Sequence, residues 1–193
     1  MLTYLAAALP ESTPAAARLL ALQCALRMNA SMRVRLARGL LRSLRLDSPD
    51  PWHELEQARW LHVSPASGAN EVTAELLDAT LLDQAPARPD RTQAADWALR
   101  IACLAPAQAP AGPLLQLTAL YLTAHADPGT GVGAAELDQL ARACGTPSAQ
   151  LPDLLDQLVS TKLLASWQTC HHMEDLIWNL WALPGGPSPG GRG

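Results

Sequence analysis

The chain has 193 residues, of which 49% are hydrophobic and 17% charged, and its formal net charge is −4. This length suits one globular unit or two small ones. No stretch reaches the apolar length of a membrane span, and residues 1–14 lack the basic start of a secretory signal and contain Pro10, so we expect no membrane contact. The four cysteines are widely scattered, which favours reduced thiols and a cytoplasmic protein.

The first 83 residues are predicted to form one unit that begins with helices. Residues 15–28 and 31–46 are predicted as the first two helices, and residues 47–51 as a turn. Asp50 is the expected N-cap of a third helix over residues 52–60, with Pro51 at its first position. Residues 62–64 and 71–76 are then predicted as short strands on either side of a tip at 65–70.

Arginine is concentrated in this unit. Seven arginines and no acidic residue lie between positions 12 and 46, which leaves seven of the 14 basic residues to set against all 18 acidic residues elsewhere. Because a solvated helix face usually mixes both signs, such an unbalanced run indicates a binding partner. The seven are Arg18, Arg27, Arg33, Arg35, Arg38, Arg42 and Arg45.

The last four of these arginines have helical spacing. Arg35, Arg38, Arg42 and Arg45 are separated by three, four and three positions, so on a helix over 31–46 they would form one row opposite an apolar side. Guanidinium groups suit phosphates, since each can donate two hydrogen bonds to an anion. The row could contact DNA, pair with the acidic second half of this chain or of another subunit, or simply be solvated.

Residues 84–113 are predicted to be a linker rich in Pro and Ala that contains one helix, over 92–104, with Thr92 as its N-cap. A second unit is expected over residues 114–183. The glycine-rich residues 127–133 lack the Gly-Lys-Ser/Thr ending of a phosphate-binding loop and are predicted to join its first two helices. The tail, residues 184–193, has no apolar side chains to bury and is predicted to be disordered.

Residues 134–164 have the pattern of two helices joined by a tight turn. Leu137, Leu140 and Ala141 share one helical face, and Gly145 stands where a helix end favours a left-handed residue. A second apolar stripe begins after Pro147, and Pro152 is compatible with a helix only in its first turn. Residues 165–169 and 176–181 are predicted as strands around a tip at 170–175. The stripe consists of Leu151, Leu154, Leu155 and Leu158.

A helix-turn-helix followed by a two-stranded hairpin resembles the winged-helix family. The resemblance implies that the second helix of the motif is the recognition helix and the hairpin is the wing. The first unit follows a similar order, since LEQARWLHV can be laid over LDQLVSTKLLAS. The expected fold is therefore mainly α with small β-hairpins, arranged as tandem winged-helix-like units. The alternative is a first half that forms an all-helical cap.

Residues suited to catalysis or metal binding are scarce. No paired carboxylates, Ser/His/Asp set or reactive cysteine environment stands out, so we expect neither an enzyme nor a cofactor. Cys170, His171 and His172 are metal-ligand types, but neighbouring residues on a strand point to opposite faces and no second cluster follows at zinc spacing. No metal site is expected.

The arginines predict a DNA-binding transcriptional regulator. Its electrostatic contacts to double-stranded DNA would come from the five arginines between positions 33 and 45. The helix over 52–60 would approach the major groove with His53 and Arg59, although Glu54 and Glu56 oppose this. The predicted DNA-contacting residues are Arg33, Arg35, Arg38, Arg42, Arg45, His53 and Arg59.

The second unit carries the opposite charge. Its recognition-type helix offers Asp153 and Asp156, with Lys162 only at its far end, so it is expected to serve for homodimerisation or contact with a protein partner. The alternative function is a protein-interaction scaffold. Acidic proteins with two winged-helix units, similar to the segregation-and-condensation accessory family, bind partner subunits rather than DNA. The net charge favours this interpretation, and the arginines favour the first.

Overall fold

A computed structural model describes residues 1–65, 67–85, 87–104, 112–170 and 175–181, without the side chains of Gln84, Arg88 and Cys170. Within these ranges the chain is roughly half helical and contains two three-stranded antiparallel sheets. The β elements are therefore sheets rather than the simple hairpins expected from the sequence. The predicted tail at 184–193, most of the predicted tip at 170–175 and positions 105–111 of the predicted linker lie outside the described residues.

A first helix, α1, precedes a group of six elements, and two further helices lead to a second group of six. The first group is α2 (Ala15–Arg27), β1 (Arg33–Ala37), α3 (Arg38–Ser43), α4 (Asp50–Gln57), β2 (Leu61–Val63) and β3 (Glu71–Leu76). Between the groups lie α5 (Thr80–Gln84) and α6 (Arg88–Leu104), and α1 spans Leu2–Ala8. The second group is α7 (Gly112–His125), β4 (Val132–Glu136), α8 (Leu137–Cys144), α9 (Leu151–Ser160), β5 (Leu164–Cys170) and β6 (Asp175–Leu180).

The prediction of a single helix over residues 31–46 is wrong. This stretch forms strand β1 and then the short helix α3, so the four spaced arginines do not form one helical row. Burial along β1 alternates, with Val34 and Leu36 inside and Arg33 and Arg35 outside. That period of two is the signature of a half-buried strand, and pairing with β3 fixes it.

Three smaller predictions also need correction. The helix expected from residue 134 begins at Leu137, because Ala134 belongs to β4. Asp50 lies inside α4 and makes no capping hydrogen bond; Pro49 precedes the helix instead. Thr92 is no N-cap, since α6 begins at Arg88.

Other sequence predictions are confirmed. Helix α2 and strand β3 fall where they were expected, and Pro152 lies in the first turn of α9. Gly145 ends α8 with φ of 64°, the left-handed conformation that suits a residue without a side chain.

The two six-element groups repeat one architecture. Apart from a single 3-10 turn, Ser148–Gln150, between α8 and α9, each runs helix, strand, helix, helix, strand, strand, and the sheets have the equivalent orders β1-β3-β2 and β4-β6-β5. Main-chain hydrogen bonds repeat as well: Leu76 N donates to Met32 O over 2.8 Å, and Leu180 N donates to Gly131 O over 2.9 Å. Three pairs of equivalent positions adopt φ between 55° and 73°: Met32 and Gly131, Arg45 and Gly145, and Arg59 and Lys162.

The core lies around α2 and α7. Every residue from Ala17 to Leu26 of α2 and from Leu115 to Leu122 of α7 is buried, as expected of helices surrounded by other elements. Helix α6 packs against both of them, although it was predicted to belong to a linker, and α1 packs against α8. No helix in the described part of the chain is long and apolar enough to cross a membrane.

Candidate interaction surfaces

Strand β1 places two of the predicted DNA-contacting arginines on the outer face of the first sheet. Arg33 lies opposite Glu75 of β3, and Arg35 lies opposite Thr73. The Nε atom of Arg33 is 3.8 Å from Oε2 of Glu75, with side chains 65% and 52% exposed. An ion pair this long and this exposed contributes little to stability, about 0–1 kcal/mol.

Beside β1 lies an open cleft with a volume of about 590 Å³, referred to below as the β1 cleft. Three arginines from α2 and β1 line it together with one carboxylate, Glu71. Arg27 also forms a 3.5 Å ion pair with the exposed Asp96 of α6. The cleft is lined by Arg27, Asn29, Ser31, Arg33, Arg35, Ser64, Glu71 and Thr73.

The remaining predicted arginines of this run belong to α3 and the residues after it. Arg38 and Arg42 are four positions apart on α3; Arg38 is half-buried and Arg42 is exposed. Arg45 follows the helix with φ of 56° and is exposed. Within the described ranges no acidic group lies within 4.0 Å of these three guanidinium groups, so they do not pair with the acidic second group of elements.

Arg18 is a structural residue rather than a surface one. Its side chain is 1% exposed, and it donates from Nε to the carbonyl of Thr13 over 2.9 Å and from Nη2 to that of Pro10 over 2.7 Å. Burial lowers the pKa of the guanidinium. The accessible arginine run therefore has six members instead of the seven counted in the sequence.

Helix α4, predicted to approach DNA, exposes mainly acidic and neutral groups. Asp50, His53, Glu54 and Gln57 are exposed, and His53 Nε2 lies 2.8 Å from Gln57 Nε2. Arg59 is exposed just beyond the helix, with φ of 55°. The predicted pair His53 and Arg59 is thus accompanied by two exposed carboxylates on the helix itself.

A groove of about 440 Å³ brings Arg38 and His53 to the same place. It runs between the start of α3, helix α4 and the sheet, and Trp52, Asp47 and Glu56 also line it. The carboxylate of Glu56 accepts a hydrogen bond from the backbone N–H of Val63 over 2.9 Å, which fixes it to β2. The groove contains charges of both signs, which suits a polar protein surface better than a run of phosphates.

Helix α9 occupies in the second group the position that α4 has in the first. Its Asp153 and Asp156 are exposed, and Asp156 Oδ1 accepts a hydrogen bond from Trp167 Nε1 over 2.9 Å. Lys162 lies past the helix end with φ of 59°. The two equivalent helices share an acidic outer face followed by one basic residue.

The two buried thiols are not poised for chemistry. Cys24 and Cys144 are buried, and burial raises the pKa of both; that of Cys144 reaches about 12 although Thr118 and Arg18 act to lower it. Cys103 is exposed. Across the described residues no three His, Cys, Asp or Glu side chains form a metal-binding group. The Cys170–His172 cluster falls outside that search, because its side chains are not described.

Comparison with protein-family models, with curated proteins and with solved structures found no match. Function is therefore inferred from the surfaces of the chain itself.

The sequence interpretation missed how β1 shapes the arginine surface. It put Arg33 and Arg35 on a helix with Arg38, whereas they face the β1 cleft and Arg38 faces the separate groove. The signal was present in the alternation of charged and apolar residues over positions 33–36.

Proposed function

We propose that the protein is a cytoplasmic protein-interaction subunit built from two winged-helix-like units, residues 15–76 and 112–180, that binds other proteins through the helices α4 and α9. The repeated order of elements supports the winged-helix assignment. In that family the third helix of each unit is the usual recognition helix, which here corresponds to α4 and α9. Fold alone does not decide between DNA and protein as the ligand.

The observation that carries the proposal is the acidic outer face of both of these helices. Asp50 and Glu54 are exposed on α4, and Asp153 and Asp156 on α9. Neither helix contains Lys or Arg, so a phosphate backbone brought against the outer face of either would meet mainly negative charge. A protein partner can instead supply complementary groups at these positions.

Photo-crosslinking in the native cell tests this function. A photoreactive residue replaces Gln57 on α4 or Ser160 on α9, both exposed, and Gln93 on α6 is the exposed control position. We expect a discrete protein adduct from α4, α9 or both that is reproduced with the purified partner and is missing at Gln93. Absence of protein adducts at both helices would overturn the proposal.

A second candidate function is DNA binding through the arginines of α3 and its C-terminal extension. Arg38, Arg42 and Arg45 have no acidic partner within 4.0 Å among the described residues, which favours an external anion. In this case the first unit would contact the DNA backbone through α3 and would not insert α4 into the major groove.

Titration with fluorescent duplex DNA at several salt concentrations separates the two functions. DNA binding predicts affinity that falls steeply with salt. Changing Arg38, Arg42 and Arg45 to Ala should then make the dependence of log affinity on log salt concentration shallower by about 0.9 for each phosphate that is no longer neutralised. Arg100→Ala, an exposed position on α6, is the matched control. The protein-interaction proposal predicts no binding above that of unrelated acidic proteins, even at low salt.

A further inference from the structure

The free edge of strand β1 is only partly closed. Met32 O accepts a hydrogen bond from Leu76 N, so by alternation the backbone groups of Arg33, Arg35 and Ala37 point away from β3. Asn29 closes the first of these positions: Arg33 N donates to Asn29 Oδ1 over 3.0 Å, and Asn29 N donates to Arg33 O over 2.8 Å. No described residue provides a partner for the outward N–H and C=O of Arg35.

The equivalent edge in the second sheet is closed further along. Asp127 N donates to Val132 O over 2.8 Å, which reproduces the contact made by Asn29. This bond is part of a bridge that joins Ala126 to Gly133 and extends the cover beyond Val132. Strand β1 has no such bridge among the described residues, so the two repeats differ at this edge.

The charge beside the open edge is mainly basic, with three arginines against the single carboxylate of Glu71 in the cleft. Arg33 and Arg35 stand two residues apart, so their side chains lie on the same face of the sheet, about 6.6 Å apart along the strand. Arg27 completes the β1 cleft next to them. The ion pair that Arg33 already makes is long, at 3.8 Å, and both of its side chains are exposed, so another carboxylate can replace Glu75 at little cost. Arg27 is held more firmly, because it also donates hydrogen bonds to Gln23 and to the carbonyl of Ala95.

We propose that an extended acidic segment of a partner protein binds in the β1 cleft and pairs with the free edge of β1 at Arg35. This inference rests on the proposed protein-interaction function and names a second contact beyond α4 and α9. Acidic residues at alternate positions of the segment would match the spacing of Arg33 and Arg35. The open peptide groups of Arg35 select a peptide over a nucleic acid, because only a peptide backbone pairs with a strand edge.

Fluorescence anisotropy with synthetic peptides tests the proposal on the full-length protein. The probe is a labelled decapeptide with Glu at alternate positions and Thr between them. We expect it to bind, and binding to weaken at least tenfold for Arg33→Gln/Arg35→Gln while Arg100→Gln has no effect. The double variant should keep the circular dichroism and thermal unfolding of the parent, because both side chains are exposed.

Two further probes make the test specific. The same peptide with N-methyl groups at alternate positions keeps its charge but cannot pair with an edge, so we expect its binding to be lost. A duplex DNA of similar charge should not compete. Equal binding of the methylated peptide, unchanged affinity in the double variant, or binding of DNA alone would each overturn the inference. Crosslinks from Gln57 or Ser160 that persist in such a case would leave the proposed function standing and remove only this contact.

Discussion

Gly133 on β4 shows how one absent side chain determines the packing of the second sheet. The indole of Trp178 on the neighbouring strand is fully buried, and its Nε1 donates to Leu122 O over 3.2 Å. A Cβ atom at Gly133 would lie 2.2 Å from Cζ2 of that ring, a separation that real Cβ atoms essentially never show. Glycine is therefore required here by close approach, not by an unusual φ.

Substitution of this glycine gives a prediction with an internal control. We expect Gly133→Ala to lower the free energy of unfolding by about 1–3 kcal/mol, since the Trp178 ring must shift within a packed core. Gly39→Ala on α3 is the control, because nothing lies within 4 Å of its Cβ position. It should raise stability by about 0.5–1 kcal/mol by reducing the freedom of the unfolded chain. Urea denaturation of both variants measures the difference, and equal effects would contradict the assigned contact.

At the scale of elements, the sequence predicted best those segments whose ends carry local signals. The left-handed turn at Gly145 was found from its residue type, and α2 and β3 from their apolar patterns. It failed where a strand runs into a helix without a turn, at Ala37–Arg38 and at Glu136–Leu137. Because no Gly or Pro separates the strand from the helix at either junction, the sequence pattern of the strand was taken for the start of the helix that follows it.

The prediction of one helix over residues 31–46 also explains why the positions of the arginines at the candidate site were predicted wrongly. Spacing placed four of these arginines in one helical row, but the side on which each arginine lies depends on tertiary pairing. Leu36 pairs with Val72 and has its side chain on the buried face of the sheet, so the side chain of the neighbouring Arg35 lies on the outer face. Burial of Arg18 was equally unpredictable, since its partners are carbonyl groups of a loop and not acidic side chains.

The turns that precede β1 and β4 use related side chains in the two repeats. Asn29 Oδ1 accepts hydrogen bonds from the N–H groups of Ser31 and Arg33. Asp127 Oδ1 accepts from the N–H of Thr130 over 2.7 Å and from that of Gly129 over 3.0 Å. These bonds, first among them that from the Thr130 N–H, hold the pKa of Asp127 below its usual range.

The turn before β4 contains a titratable Asp127, whereas the turn before β1 contains a neutral Asn29, and this difference predicts how each turn responds to acid. A depressed folded pKa gives stability that is present above the unfolded value, about 3.9 for Asp, and is lost as pH falls through the folded value. Asp127→Asn should therefore lose less stability than the parent between neutral pH and strong acid, because its amide oxygen still accepts but does not titrate. Asn29→Asp is the reverse control and should lose more. Chemical denaturation across this pH range checks both, and parallel pH profiles for all three proteins would refute the role of these turns.

At the scale of the whole molecule, the two repeats are joined by the packing of α2 on α7 and by elements that lie outside both repeats. Helix α1, at the start of the chain, packs on α8 of the second repeat, and α6 packs on both α2 and α7. The carbonyl of Thr13, held by Arg18, lies close enough to Gly145 that a Cβ there would be 2.4 Å from its oxygen. The buried apolar side chains of both repeats accordingly belong to one continuous core.

A continuous core predicts that the two repeats unfold as one cooperative unit. Cys24 lies in the first repeat and Cys144 in the second; both are fully buried, and burial raises the pKa of each thiol, so neither should react in the native state. With Cys103 and Cys170 replaced by Ser, both remaining thiols should become reactive at the same urea concentration. Pulse labelling followed by mass spectrometry of the peptides measures this. Labelling of Cys144 at a lower urea concentration than Cys24 would mean that the packing of α2 on α7, together with that of α1 and α6, is too weak to couple the repeats.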